Sequence, residues 1–367
     1  MISFEQTDDQ RAFAEAVHRF AAQDMRKSLR SADESGVLPA QLLETGWNLG
    51  IVPAGIPEDY GGFADEQPAL TAAIAYEELG WGDLSAAFQL LTPTQLAHPV
   101  REFGSAAQKQ AYLPRAADGE APALVGALIE PRYQFNPRAL DTTATREGDL
   151  YTLNGRKANV ALADSADTFL VYANEGGATQ AFIIEKTNPG IAIGAREQLM
   201  GIKALPTYPL TLENCRAPAE CRLGEDEGCD IGALLSRSDV ALASLAVGVA
   251  RAAFEYATTY AKEREAFGEP IAQRQSIAFM LAEMAIEVDA ARLMAWEAAW
   301  RLDRGDSDEE IREAATLARV YANDMVVGVA DRAVQILGGH GYIREHPVEL
   351  WLRNARGFAT FDGMAFV

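Results

Sequence analysis

The sequence has little cysteine, and no arrangement of it that would build a covalent or metal-based framework. Only three cysteines occur, Cys215, Cys221 and Cys229. Their spacing matches neither a C-x-x-C redox pair nor a zinc knuckle. An odd number also argues against a set of disulfides. We therefore expect a protein of a reducing compartment, the cytoplasm.

Long apolar runs and positive charge are also scarce. No run of about 18 apolar residues occurs, and the first 20 residues lack the basic start and apolar block of an export signal. With 32 Lys and Arg against 53 Asp and Glu, the formal net charge is −21. Nucleic-acid binding needs clustered cations to replace counterions around phosphates, so neither nucleic acid nor a membrane is expected. A diphosphate-bearing cofactor stays open, because a few local cations or a helix N-terminus suffice.

Several common catalytic signatures are missing as well. The chain contains no G-x-S-x-G, Walker A, H-E-x-x-H or G-x-G-x-x-G motif, so hydrolase, kinase-like and zinc chemistries lose support. His340 and His346 flank one loop without a third ligand at usable spacing, and no metal is therefore assigned.

Helical signals are present at both ends of the chain. Thr7 with Gln10, and Ser307 with Glu310, have the capping-box spacing that marks a helix start. The first pair predicts a helix from about Asp8. An apolar stripe predicts a long bundle helix over 277–291, because its members recur at helical spacing. Further helices are predicted at about 40–49, 68–80 and 105–117, and from about 308 to the glycine pair at 338–339.

Between about 123 and 229 the pattern changes to short β-branched and aromatic runs divided by turn residues. Runs at 150–153, 168–172 and 181–184 are typical of strands. The expected fold class is α+β, mostly α. We predict an N-terminal helical domain over 1–122, a central β-sheet or barrel domain over 123–229, and a C-terminal helical bundle over 230–367 whose last helix is short or missing.

Four motifs in a fixed order resemble one known family. They are P-E-D-Y-G-G at 57–62, L-E-N-C-R-A-P at 212–218, R-E-A-F-G-E-P-I at 264–271 and Q-I-L-G-G-H-G at 335–341. Over nearly its whole length the chain resembles the acyl-CoA dehydrogenases. The resemblance implies an FAD-containing oxidoreductase that introduces an α,β double bond into an acyl-CoA thioester. It also implies an electron-transfer flavoprotein as electron acceptor and a homo- or hetero-tetramer of dehydrogenase chains.

The resemblance also implies which residues contact FAD across a subunit interface. Arg264 is expected to hold the diphosphate, because a guanidinium forks onto phosphate oxygens. The glycines would let the cofactor pass close to bare backbone. The other expected cofactor contacts are Phe267, Gln275, Gln335, Ile336, Gly338 and Gly339.

The family's catalytic base is a glutamate followed by glycine, and Asp362–Gly363 occupies that position here. A carboxylate in a desolvated pocket can remove a proton next to a thioester, but aspartate reaches about 1.5 Å less far. Other family members place the base just before the first bundle helix, which makes Asp239 a second candidate. The alternative for Asp239 is a helix N-cap. Gly363 and Phe135 are the expected substrate contacts.

Two flavin-binding segments of the family are altered in this chain. The T-E-P-G-x-G-S-D stretch reads I-E-P-R-Y-Q-F-N at 129–136, and the W-I-T or W-I-S strand reads N-V-A at 159–161. One hypothesis is therefore a catalytically degenerate subunit that shares a flavin site in a heterotetramer. A second is a homo-oligomer in which Tyr133 or Phe135 replaces the lost contacts. A third is a flavin-free scaffold of the same fold.

Overall fold

The N-terminal part of the chain is helical in the computed structural model, which describes residues 5–64, 67–118 and 124–367. Both predicted capping boxes are present, since Thr7 and Ser307 each accept from the N–H three residues later. A π-helical turn, Ala21–Met25, links the first two helices. The helices are α1 (Asp8–Phe20), α2 (Arg26–Ser35), α3 (Ala40–Trp47), α4 (Pro68–Gly82), α5 (Leu84–Leu91), α6 (Thr94–Phe103) and α7 (Ala106–Ala117).

The central part forms a seven-stranded sheet within the described residues, in the order β1-β4-β2-β3-β7-β6, with β5 also paired to β4. Two long strands, β3 and β7, pair antiparallel along most of their length, with register shifts after Leu153 and Lys157. One face of the sheet has its own apolar core. The strands are β1 (Leu124–Ala127), β2 (Thr143–Glu147), β3 (Leu150–Ala161), β4 (Thr168–Glu175), β5 (Ala178–Glu185), β6 (Ile191–Ile193) and β7 (Thr207–Pro218).

The C-terminal part is a helical bundle that begins with α8 (Ile231–Glu263). A two-stranded hairpin, β8 (Glu265–Ala266) and β9 (Glu269–Pro270), connects it to α9 (Gln275–Arg304), followed by α10 (Asp308–Leu337) and α11 (Val348–Ala355). In the described ranges, α8 alone is long and apolar enough to cross a membrane, but 83% of its apolar window is buried inside the protein. It is therefore the core helix of the bundle, which packs against α4 and α10.

Close helix contacts join the N-terminal helices to the bundle. A Cβ on Gly248 of α8 would lie 2.1 Å from the Glu77 carbonyl oxygen of α4, so only glycine allows this approach. The buried Glu77 carboxylate bonds Arg251 of α8 and Arg292 of α9. The predicted α+β, mostly helical fold is confirmed. The boundary at 122/123 falls outside the described residues, and the domain limits stay predictions.

Candidate active site

Both predicted carboxylates approach one buried arginine. Asp239 lies inside α8, whose N-cap is Asp230, so the expected position before this helix and the N-cap alternative for Asp239 are both wrong. Asp362 follows the helical turn Phe358–Thr360. Arg319 of α10 places Nε 3.8 Å from Asp239 Oδ1 and a terminal nitrogen 3.7 Å from Asp362 Oδ1. The sequence predicted the two aspartates separately, and the fold brings them together. Arg319 was missed, although a charge within the apolar series Ala315, Ala318 and Ala322 was a signal.

Burial raises the pKa of both carboxyl groups. Burial raises the pKa of Asp239 to about 7, against the lowering effect of Arg319, and the charge of Asp362 adds to the rise. Burial also raises the pKa of Asp362, and again Arg319 opposes it. The side chains are 20% and 30% exposed, so each can be reached from outside. Such carboxyl groups have the properties of a general base that works near neutral pH.

The segment around Asp362 is held by buried polar groups from three helices. The Gly363 N–H donates to Ser238 Oγ at 3.0 Å, which fixes the predicted substrate contact next to α8. Gly363 has φ +74°, a conformation that favours glycine. Gln95 Nε2 donates to the Met364 carbonyl and the Tyr76 hydroxyl to the Phe366 carbonyl, each at 2.8 Å. Asp362 is therefore on a well-anchored turn.

A cavity of about 180 Å³ opens next to this turn. Phe361 and Met364, on either side of Asp362–Gly363, line it together with Asn159 at the end of β3. Asn159 is the first residue of the N-V-A segment, where the family's flavin-covering strand was expected. The cavity therefore joins the altered strand of the β domain to the turn that carries the candidate base. Its other walls come from 199–202, Thr207, Arg353, Arg356, Gly357 and Thr360.

The predicted diphosphate clamp lies beside an exposed hairpin. Arg264 ends α8, and within the described ranges its guanidinium makes no ion pair. The hairpin turn has Phe267 and Gly268 at its centre, both with positive φ, so it has the form of a tight two-residue turn. Phe267 is 95% exposed. An exposed cation next to an exposed aromatic ring is suited to an adenosine diphosphate.

The remaining predicted cofactor residues lie on the same end of the bundle. Tyr260, one turn before Arg264, contacts His340 at 3.1 Å, which brings the glycine segment beside the hairpin. A Cβ on Gly338 or Gly339 would meet no atom of the described residues within 4 Å, so packing against them does not require glycine there. Gln275 begins α9; Gln335 is exposed and Ile336 is buried near the end of α10.

The two histidines that flank the glycine loop each contact a tyrosine. His340 Nδ1 lies 3.1 Å from the Tyr260 hydroxyl, and His346 Nδ1 lies 2.8 Å from the Tyr256 hydroxyl. The described part of the chain contains no group of three or more His, Cys, Asp or Glu side chains that could hold a metal ion.

The altered 129–136 segment has two aromatic side chains with different surroundings. Tyr133 is exposed, whereas Phe135 is partly buried and packs against two of the three apolar cores. Arg138, three residues after Phe135, lowers the pKa of Asp239, which places this loop near the carboxylate pair. Because Phe135 is only three residues from Arg138, it stays a candidate substrate contact.

Known proteins match this chain over its whole length. Sequence models of the acyl-CoA dehydrogenase N-terminal, middle and C-terminal domains match residues 7–120, 127–215 and 231–365. The short-chain specific acyl-CoA dehydrogenase of Megasphaera elsdenii is 33% identical, over 99% of this chain and 96% of that protein. The structure of butyryl-CoA dehydrogenase from the same organism has a TM-score of 0.89 at 32% identity, covering 100% of this chain and 96% of that one.

A second similar structure comes from work on the electron transferring flavoprotein of Acidaminococcus fermentans. It has a TM-score of 0.89 at 34% identity and covers 99% of this chain and 96% of that chain. Two further structures of this fold, 25% and 26% identical, were solved with FAD or FADH2.

The chain belongs to the acyl-CoA dehydrogenase family. It is an FAD-dependent oxidoreductase that acts on the CH–CH group of an acyl-CoA thioester. The comparisons do not favour the degenerate partner subunit or the flavin-free scaffold. The residues present also fit the cofactor. The cavity at Asn159 and Phe361 offers mainly apolar walls for a ring system. Arg264 is exposed and offers a cation for a diphosphate.

Proposed function

We propose that Asp362 is the base that removes the α-proton of a short-chain acyl-CoA. The observation that carries this proposal is the position of Asp362 between two residues that line the cavity, Phe361 and Met364. A base at the cavity edge can reach a thioester bound against a flavin in the cavity, while a partly desolvated carboxylate has the raised pKa that proton removal requires. The choice of a short acyl chain is supported by the short-chain specific relative from M. elsdenii.

Bound FAD would accept the hydride that leaves the β-carbon of the acyl group. The cavity beside Asn159 would hold the flavin ring system. Arg264 and Phe267 would bind the adenosine diphosphate of a flavin whose ring is held by a second copy of the chain, because both side chains face outward from this one. Gln275, Gln335, Ile336, Gly338 and Gly339 would complete that contact.

The chain's own residues handle the proton. Asp362 accepts it from the carbon next to the thioester carbonyl and becomes a neutral carboxylic acid. Arg319 stabilises the carboxylate before the transfer, and Asp239 shares the same counter-charge. Gly363 and Phe135 are proposed to contact the substrate. The low polarity around the site favours transfer because water competes less with the acyl group for the base.

Partner, assembly and compartment belong to the same proposal. The electron acceptor is an electron-transfer flavoprotein, which is supported by the related structure from work on that protein of A. fermentans. The chain assembles as a tetramer, and it works in the cytoplasm. A tetramer would provide each flavin with an adenosine contact from a neighbouring copy.

The test is anaerobic mixing of the purified protein with butyryl-CoA while flavin absorbance is followed. Loss of the oxidised flavin band is expected for the natural protein. The change Asp362→Asn removes the base and should slow bleaching by roughly 10²–10⁴-fold. Asp362→Glu keeps a carboxylate and should retain much more activity. Asp9→Asn, on the exposed face of α1, is the matched control and should have no effect.

The outcomes separate the two candidate bases. If Asp239→Asn slows flavin bleaching strongly and Asp362→Asn slows it little, Asp239 is the base. A protein that binds FAD fully but is not bleached by short, branched, aromatic or steroid acyl-CoA thioesters would contradict the proposed function itself.

A further inference from the structure

Arg319 is a charged side chain at a buried position of α10. It lies midway along α10 on the buried face, among alanines and next to the bundle core. A buried guanidinium costs several kcal/mol unless hydrogen bonds and counter-charges compensate for the lost water. Its contacts therefore indicate what it does.

Those contacts link three separate segments of the chain. One terminal nitrogen donates to Asn323 Oδ1 on the next turn of α10, and the other donates to the Phe358 carbonyl oxygen. Phe358 begins the helical turn that leads into Asp362. The Nε atom is buried and has no hydrogen-bond acceptor among the described residues, and it lies 3.8 Å from Asp239 Oδ1. Arg319 thus has one donor not yet used, next to a candidate acid.

We propose that Arg319 is the positioning residue of the active site: it holds the turn that carries Asp362 through the Phe358 carbonyl and gives Asp239 and Asp362 one shared counter-charge. The inference rests on the proposed function only for the role of Asp362 as base. The structural part, two acids coupled through one arginine, concerns the chain alone. Arg319 itself does not touch the substrate.

The two carboxyl groups share Arg319 but have different charged neighbours. Asp239 faces Arg319, Asp362 and Arg138, and Asp362 faces Arg319. One cation close to two carboxylates cannot fully neutralise both, so their protons come off in coupled steps. Burial raises the pKa of Asp239 to about 7, so its neutral form is populated near neutral pH. Protonation of Asp239 favours the charged form of Asp362, which is the form that acts as a base.

Arginine suits this role better than lysine. A planar guanidinium can bond a carbonyl with one nitrogen and face a carboxylate with another, whereas an ammonium is a single point charge. Arg319→Lys should therefore keep the counter-charge and lose part of the grip on the Phe358 turn. Arg319→Gln should lose the charge altogether.

The first test measures turnover and its pH dependence for these two variants. For Arg319→Gln we expect kcat to fall on the order of 100-fold, because the base is misplaced and less ionised. We also expect the acidic limb of the kcat profile to move up by about one pH unit or more, because an opposite charge is lost. KM should change little. Arg319→Lys should restore the position of the limb and recover only part of kcat.

The control is Arg301→Gln. Arg301 also contacts two acids, Glu297 and Asp306, but it does so at the far end of α9. The Arg301→Gln variant should leave both kcat and the acidic limb of the kcat profile unchanged. If Arg319→Gln lowers thermal stability and activity without moving the pH limb, Arg319 is only structural and the inference is wrong.

A second measurement covers the case in which Arg319→Gln does not fold, and it does not depend on activity. Infrared difference spectra of protein labelled with ¹³C in the aspartate carboxyl groups would follow the protonated carboxyl band against pH. In the natural protein this band should decrease as pH rises through about 7. Because burial also raises the pKa of Asp83 to about 7, the spectra are compared in an Asp83→Asn background. In that background the band should be lost on Asp239→Asn, and the band of Asp362 should then titrate at lower pH.

These outcomes keep the inference separate from the proposed function. If no acyl-CoA bleaches the flavin but the infrared titrations are coupled as described, the proposed function fails and the shared counter-charge stands. If the enzyme is active and Asp239→Asn leaves the titration of Asp362 where it was, the acids are independent and the inference is overturned.

Discussion

The Lys157 ammonium donates to Glu130 Oε1 at 3.0 Å, and both side chains are buried. Lys157 also donates to the Leu128 carbonyl, and Glu130 accepts from the backbone N–H groups of Asp141 and Thr142. The ion pair therefore ties the end of β1 to β3 and closes the loop over 131–142. That loop contains Phe135 and Arg138, next to the active site, so the pair supports the site from the β domain.

Breaking this pair should be costly. Lys157→Met leaves the Glu130 charge buried without its cation, and we expect the free energy of unfolding to fall by about 3–5 kcal/mol. The double variant with Glu130→Gln removes both charges and should lose less than the single variant. Denaturant unfolding followed by circular dichroism measures the difference, and Lys27→Met, on an exposed part of α2, is the control. A single variant as stable as the control would show that the pair contributes little.

Asp83 gives the protein a predictable dependence of stability on pH. This buried residue caps α5 by accepting from the Ser85 N–H at 2.9 Å, and burial raises its pKa to about 7. In the unfolded chain its pKa is about 3.9. The folded state therefore binds more protons between these values, and stability should fall as pH rises from about 4 to about 7.

Asp83→Asn tests this expectation while it keeps a good N-cap residue. The variant has no charge to bury, so it should lose the part of the pH slope that Asp83 contributes, on the order of 2–4 kcal/mol across that range. Because Asp239 contributes a slope of the same sign, the informative quantity is the difference between the natural protein and the variant at each pH. Parallel stability curves for the two proteins would contradict the assignment.

Local signals explain which parts of the fold were predictable from sequence. The capping residues Thr7 and Ser307 define helix starts through hydrogen bonds within four residues, and no tertiary contact is needed. The strand runs over 168–172 and 181–184 lie inside β4 and β5. By contrast, the two helices over 84–103 were not predicted, because nearly every residue there is buried and the sequence has no polar face.

The active site was only partly predictable for a related reason. Asp239 and Asp362 were found from motif positions 123 residues apart in sequence, and only the fold shows that they approach one arginine. The tight hairpin at Phe267 was not predicted, since Phe is uncommon at positive φ and its turn carries no strong local signal. Arg319 belongs to no motif, so its role depends entirely on tertiary contacts.

Arg264 should control how well the protein retains FAD. Arg264→Gln removes the cation proposed to bind the diphosphate, and a lost charge-assisted hydrogen bond costs about 1.5–3 kcal/mol. We therefore expect FAD affinity to fall by roughly 10–150-fold, with little change in thermal stability of the flavin-free protein. The flavin-to-protein absorbance ratio after gel filtration measures it. Arg304→Gln, an exposed arginine that pairs with Asp306, is the control and should retain the cofactor.

An equal loss of FAD in the Arg264 and Arg304 variants would indicate a general charge effect. Unchanged FAD retention in Arg264→Gln would show that the diphosphate is held elsewhere. The same measurement on the natural chain purified alone also tests the shared-site alternative. Full FAD occupancy of the lone chain would show that no paralogous partner is needed to bind the cofactor.

The exposed face of α9 should be an interface between copies of the chain. Phe279, Ile286 and Leu293 are all exposed and recur every seven residues, which places them on one side of the helix. Ile286→Glu puts a charge in the middle of this stripe and should shift the protein from a tetramer to smaller species by light scattering, because burying an unpaired charge is unfavourable. Val37→Glu, at an isolated exposed valine, is the control and should leave the tetramer intact. If the neighbouring copy supplies Arg264 to each flavin, dissociation should also release FAD, and a variant that dissociates but keeps its flavin would show that one chain binds the cofactor alone.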